Sequence, residues 1–355
     1  MKPKIIAVDL FCGAGGLTRG LLDAGIGVKK GFDNDFRLKD TYEKNNPGAK
    51  FYYKNISELT GKEILKGLKR RNTYLLLAGC APCQPFSALM NQPEKKHDRI
   101  NLLLEFGRII SEIKPDFVFA ENVPGLKNGK GKKVFKAFEN ILQQNSYSFI
   151  SKILDARDYG VPQKRKRLVL LASLHGDIMI PESTHGSADK GKKPYVTVKD
   201  TISRFPEITA GYKDKKLPNH ETRNLSALNL ERLRHIRKDG GTRLDLPEEL
   251  SLNCHKGHKG HTDVYGRMKW NDVSPTLTCK CTSLSNGRFG HPNQMRAISV
   301  REAAALQTFK DDYVFYGSLT DNTKWVGNAV PPLFARCIVG ELINNYKRSC
   351  TTNGV

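Results

Sequence analysis

Long apolar runs are missing from this 355-residue chain. None has the length needed to span a bilayer, and Met1-Lys2-Pro3-Lys4 leads straight into a short strand-like run rather than a secretory leader. No membrane association is expected, and the cytoplasm is the expected setting. Internal repeats and a coiled-coil register are absent as well, so repeat solenoids and long helical rods are not expected. Acidic residues are scarce: 36 Asp and Glu stand against 58 Lys and Arg, a formal charge of +22. That excess suits a polyanionic partner, although basic charge alone also serves solubility. The eight cysteines are scattered through a chain too long to need disulfide staples. A reducing compartment is the simpler reading, and it would preserve a working thiol.

What is present alternates between short apolar runs and helix-length stretches. The length supports one large domain and a smaller one. Residues 5–10 read as a buried parallel strand, a glycine loop follows, and a helix begins near Leu17. Further strand-like runs lie at 29–32, 74–78, 117–120 and 167–172, with helix-length stretches at 101–112 and 133–143. Strand, turn and helix in alternation predict an α/β fold, a Rossmann-like mixed sheet with helices on both faces. Beyond about His175 the texture changes. Residues 185–298 hold short polar segments, many glycines and few apolar runs, as expected of a second domain or an insertion facing the ligand. Regular structure returns as a short helix at 300–307, and Pro331-Pro332 precedes a last helical pattern at 333–345. The predicted division is 1–184, 185–310 and a returning segment 311–355.

Three motifs carry chemistry. Gly13-Ala14-Gly15-Gly16 permits a tight turn and close approach of backbone to a ligand, and the helix that follows aims its positive end at an anionic group. The spacing departs from the GxGxxG of a dinucleotide site, since the glycine after Gly16 is Gly20; a plain structural turn is the other reading. Asp33, after the second strand, is placed to accept hydrogen bonds from ribose hydroxyls, with Asn34 and Ile56 along an adenine face. The second motif is Pro82-Cys83-Gln84 within GCAPCQPFS, and the third is Glu121-Asn122-Val123. A thiolate adds to C6 of cytosine and turns C5 into an enamine-like carbon able to take a methyl group. An acid near N3 limits the negative charge on the ring during addition, a task that suits Glu121.

Cys83 can also be read as a buried structural thiol, and Cys80 and Cys83 form a CxxC spacing that invites a redox or metal role. No matching CxxC pair completes a zinc set. The Cys and His residues between Cys254 and Cys281 are irregularly spaced for a metal, so a basic loop contacting phosphates is expected and no metal site is assigned. In Gln163-Lys164-Arg165-Lys166-Arg167, an extended chain puts Arg165 and Arg167 on one face. Arg165 is expected beside the reacting base with Arg167 in support; a solvated edge strand with ordinary salt bridges is the alternative.

Taken together, these residues resemble the DNA (cytosine-5) methyltransferase family of the bacterial restriction-modification type. The resemblance is carried by DLFCGAGG (9–16), PCQPFS (82–87), ENV (121–123), QKRKR (163–167), REAAALQTF (301–309) and GNAVPP (327–332), in that order along most of the chain. It implies a methyltransferase fold with a smaller target-recognition domain in the 185–310 region, and S-adenosylmethionine as methyl donor. It implies Cys83 as nucleophile, Glu121 at cytosine N3, and Arg165 near O2. Phe11, Gly13, Gly15, Gly16 and Leu17 would wall the donor pocket, Asp33 would hold the ribose, and Asn34, Asn55, Ile56 and Pro82 would complete the donor contacts. Asn328 and Val330 would close the pocket from the C-terminal side. The implied partner is double-stranded DNA, methylated within a specific sequence after base flipping, by an enzyme expected to be a monomer and to accompany a cognate restriction endonuclease. RNA cytosine methylation, or a catalytically inactive nucleic-acid-binding protein, are the competing functions. Two positions depart from the family pattern: Asn55 stands where aspartate is common, and Met90 where glycine is frequent.

Overall fold

Strands β1 (Lys4–Leu10), β2 (Gly27–Asp33), β3 (Lys50–Tyr53), β4 (Thr73–Gly79), β5 (Phe117–Asn122), β6 (Ser148–Asp155) and β7 (Lys166–Ser173) form one sheet in the order β3-β2-β1-β4-β5-β7-β6. The computed structural model describes residues 4–69, 71–82, 96–187, 191–252, 262–340 and 342, with the side chains of 96–101 excepted. Pairing is parallel throughout except at β7, which runs antiparallel to both β5 and β6. The chain winds outward from β1 to β3, then returns to β4 on the other side of β1. That reversal opens a crevice at the carboxyl edge of β1 and β4, where ligands of open α/β sheets bind.

Burial on both faces explains why the central strands read as apolar runs. Helices α1 (Gly16–Asp23), α2 (Lys39–Asn45), α3 (Gly61–Leu65), α4 (Lys96–Ile113), α5 (Gly125–Asn128) and α6 (Lys132–Gln144) belong to the same part of the chain. On one face Ile6, Val8 and Leu10 of β1 join a core with Phe106 and Ile110 of α4 and Phe138 and Leu142 of α6. The Phe106 and Phe138 rings stack there at 5.8 Å. Residues 332–340 form a further helix, as the sequence predicts from 333 onward. It packs so tightly on α1 that a Cβ at Gly20 would lie 2.5 Å from that of Ala335. Strands β3 and β6 were not legible as apolar runs. Both are sheet edges, and edge strands stay short or half-exposed.

The chain divides into two units, one of Met1–Ala156, Lys166–Ser183 and Val330–Val355, the other of Arg157–Arg165 and Thr184–Ala329. The second unit carries α7 (Val198–Ile202), α8 (Ala227–His235), α9 (Val300–Leu306) and α10 (Leu319–Asn328), and buried polar groups hold it together. Arg267 donates to the carbonyls of Leu233, Ile236, His291 and Gln294, and desolvation lowers its pKa to about 10. Arg296 forms a two-pronged pair with Glu302 at 2.7 Å for each contact. Glu302 also closes a capping box with Ser299 at the start of α9. Residues 311–329, expected with the returning segment, cluster with this unit instead; Gln307 donates to the Val326 carbonyl at 2.7 Å and joins α10 to the end of α9. Among the described residues no helix is long and apolar enough to cross a membrane.

Candidate active site

The glycine loop leaves β1 through Phe11, whose backbone is left-handed (φ 59°), a conformation uncommon for a residue with a side chain. Gly13 (φ 52°) and Gly15 (φ 85°) share that region, and Gly15 caps the start of α1. A Cβ at Gly13 would meet nothing within 4 Å, so the loop is open on that side. The Gly13 N–H donates to Asp33 Oδ2 at 2.9 Å, tying the loop to the end of β2. Burial pushes the Asp33 carboxyl up, opposed by N–H groups of Gly13, Asp35 and Asn34. Gly16 and Leu17 are buried in the first turn of α1. Asn34 and Asn55 are exposed, and Ile56 is buried in the core. Asn55 Oδ1 accepts from the Ser57 N–H at 3.3 Å, so the asparagine that replaces aspartate here also caps a short turn.

Beneath this loop lies a group that the sequence reading passed over. Asp9 is fully buried; its Oδ2 accepts from Thr18 Oγ1 at 2.7 Å, and Thr18 Oγ1 is 2.9 Å from the Tyr42 hydroxyl. Desolvation raises its pKa to about 7, with the Thr18 bond opposing and the Asp33 charge adding.

On the other side of the crevice Glu121 is the last residue but one of β5, its side chain buried, and Arg167 Nε stands 2.9 Å from Glu121 Oε1. The approach lacks the alignment of a hydrogen bond: this is an ion pair, and Glu121 Oε1 has no hydrogen-bond partner among the described residues. Neighbouring Asn122, also missed as a contributor, donates from Nδ2 to the Ala81 carbonyl at 3.2 Å. It thereby ties the strand that carries Glu121 to the segment leading into PCQ. Cys83 itself lies outside the described residues, while Pro82 is the exposed last residue before them. Cys80 is no rival nucleophile. Desolvation, then the Glu121 charge, hold its thiol well above the ordinary value, although the residue keeps some exposure.

The two arginines go to different places. Arg167 reaches the carboxylate. Arg165 is buried in the second unit, where it donates to the carbonyls of Leu277 (3.0 Å), Gly327 (3.3 Å) and Ala329 (3.1 Å). Asn328 is exposed at the end of α10 in the second unit, and Val330 is buried in the first. Of the Cys and His cluster, 254–261 lies outside the described residues; Cys279 is exposed, and burial pushes the Cys281 thiol up to about 12.

Open backbone at Gly13, the Asp33 carboxyl tied to it and the Glu121–Arg167 pair lie on a sheet of the methyltransferase type. The comparisons agree. The family model for C-5 cytosine-specific DNA methylase matches residues 5–344, and the chain belongs to that family. It is 43% identical over 337 residues to the Type II methylase M.HgiDII of Herpetosiphon aurantiacus, covering 93% of each chain. It is 33% identical over 334 residues to the Type II methyltransferase M1.HphI of Haemophilus parahaemolyticus, covering 93% of this chain and 84% of the relative. Among solved structures it is similar to a prophage-encoded DNA modification methyltransferase candidate (E. coli), with a TM-score of 0.74 and 25% identity over 97% of this chain and 100% of that one. The protein is thus an enzyme of sequence-specific DNA cytosine methylation that uses S-adenosylmethionine as methyl donor.

Proposed function

We propose that Cys83, Glu121 and Arg167 carry the chemistry on a cytosine rotated out of duplex DNA, with Asp33 and the loop from Phe11 to Leu17 holding the donor. The observation that carries this reading is Glu121 at the mouth of the crevice, paired with Arg167 yet with Oε1 unbonded. A buried carboxyl oxygen in that state is placed to share a proton with a ring nitrogen. The residues around Gly13 and Asp33 fit a nucleoside-bearing donor, which when bound supplies an electrophilic methyl group.

Cys83 Sγ forms a bond to C6 while N3 takes or shares the Glu121 proton, so the displaced π electrons collect at C5 rather than as charge on the ring. The fixed Arg167 cation orients the carboxylate through this change. Once C5 holds the methyl group its proton departs to a base, the electrons of that C–H bond re-form the C5–C6 double bond, Cys83 leaves as thiolate and N3 returns its proton. Flipping costs a few kcal/mol, which phosphate and groove contacts must offset. The second unit, Thr184–Ala329 above all, is the candidate for target recognition. The enzyme is read as a cytoplasmic monomer working beside a cognate endonuclease; the Type II names of the relatives bear on the endonuclease alone.

A duplex target carrying 5-fluorocytosine tests the covalent step, because fluorine cannot leave as the proton does. Incubated with donor, the enzyme should be trapped on the oligonucleotide, and peptide mass spectrometry should place the adduct at Cys83. Efficient methylation of the ordinary target with no adduct on the fluorinated one refutes the mechanism.

A further inference from the structure

Glu121 is the last residue but one of β5, and the chain passes through α5 into α6 before entering β6. Because β7 is antiparallel to both β5 and β6, those two strands run the same way. The helix that connects them therefore runs back along the sheet, and its N-terminus stands at the carboxyl edge, the edge that carries Glu121. Four lysines cluster there within seven residues: Lys130, Lys132, Lys133 and Lys136. All four are exposed, and none of their ammonium groups has an ion pair or hydrogen bond among the described residues. Nearby Lys127, by contrast, is committed to Ser151, at 2.9 Å to its carbonyl and 2.8 Å to its Oγ.

The fold gains nothing from this placement. Cations in the first turn face the positive end of the helix, where acids are favoured, and the first turn of α6 contains no acid and no side-chain cap. Compare α3 and α9, which start with Thr60–Glu63 and Ser299–Glu302 capping boxes. The loop that presents the lysines is also tightly built. A Cβ at Gly129 would lie 2.8 Å from the Gly125 carbonyl oxygen, and one at Gly131 would lie 2.8 Å from Leu126 Cα. A rigid, uncompensated cationic edge beside the catalytic acid calls for an anion from outside the chain.

We infer that Lys130, Lys132, Lys133 and Lys136 form a phosphate clamp on the catalytic unit that grips the backbone of duplex DNA next to the flipped cytosine. The inference rests on the methylation reading above and extends it to a surface. It is tested by changing all four lysines to Gln and measuring duplex affinity from low to moderate salt. A control variant loses four exposed lysines of other locations in the first unit, Lys4, Lys29, Lys50 and Lys114, and so has the same net charge. Each lost phosphate contact lowers the slope of log affinity against log salt by about 0.9, so the clamp variant should lose roughly 2 to 4 from the slope. The control should keep the wild-type slope, and donor affinity should be unchanged in both. An unchanged slope in the clamp variant, or an equal loss in the control, overturns the clamp. Wild-type enzyme that neither binds nor methylates duplex DNA overturns the methylation reading itself. Lysine acylation of the wild type with and without duplex gives a second test needing no variant: the four clamp lysines should be protected and the four control lysines not, and equal labelling of both sets overturns the inference.

Discussion

Asp9→Asn should abolish a pH dependence of stability that the wild-type protein owes to this one carboxyl group. Asp9 is wholly buried, and its pKa is raised from 3.8 to about 7, first by desolvation, against the pull of Thr18. A difference of that size corresponds to about 4 kcal/mol. The sign follows from proton counts. Between pH 4 and 7 the folded protein keeps a proton that the unfolded chain has released, so stability falls as pH rises through that window and levels off above it. Roughly 2 kcal/mol of the loss lies between pH 5 and 7. Urea unfolding of wild type and Asp9→Asn from pH 5 to 8 measures it, because subtracting the two curves cancels every other titrating group. Parallel curves would show that Asp9 is ionised in the folded state and refute the reasoning. The group is also a strut. Thr18 spends its single hydroxyl hydrogen on Asp9, so Tyr42 must donate to Thr18, and the chain joins β1, α1 and α2 under the donor loop. Only glycine at position 31 allows it, since a Cβ there would lie 2.3 Å from the Tyr42 hydroxyl oxygen. Tyr42→Phe keeps the Thr18–Asp9 bond and should therefore keep the pH dependence.

The two arginines separate by readout. Arg167→Gln should slow single-turnover methylation about 10²-fold with donor affinity nearly unchanged, on the scale of losing one charge-stabilising group. Arg165→Gln should instead lower the melting temperature, because the Leu277 carbonyl loses its donor and those of Gly327 and Ala329 keep only Gln307; the opposite pattern would return Arg165 to the place beside the base. Glu302→Gln leaves the buried Arg296 cation without its counter-charge and should cost about 3–5 kcal/mol in denaturant unfolding. A loss below 1 kcal/mol would mean that the pair is not what holds this part of the second unit.

Much of the first unit was legible because its chemistry sits at strand ends. A parallel strand buried on both faces has to be apolar, so 5–10, 74–78 and 117–120 announced themselves, and the residues just after them, Phe11, Pro82 and Glu121, lie at the crevice edge. The second unit offered no such signal. Its core depends on arginines such as Arg267, Arg296 and Arg301, which in sequence read as surface or phosphate-binding charge. The burial of a guanidinium is decided by carbonyls far along the chain, as Arg267 shows by spanning Leu233 to Gln294.

The misplaced arginine shows where local reading stops. Alternation in an extended chain correctly puts Arg165 and Arg167 on one face, but it leaves open which of them meets the acid. The antiparallel register decides: Glu121 lies opposite Val169, and Arg167 is the same-face diagonal neighbour two residues away. Arg165 precedes the first residue of β7, beyond the ladder, and is drawn into the second unit. A register shift of two residues would put Arg165 on the acid without altering which face any side chain takes. Which arginine meets the acid is therefore decided by the pairing of two strands about fifty residues apart. The Arg167–Glu121 pair reinforces that register, while the Asn122–Ala81 bond holds the end of β5 to the segment after β4.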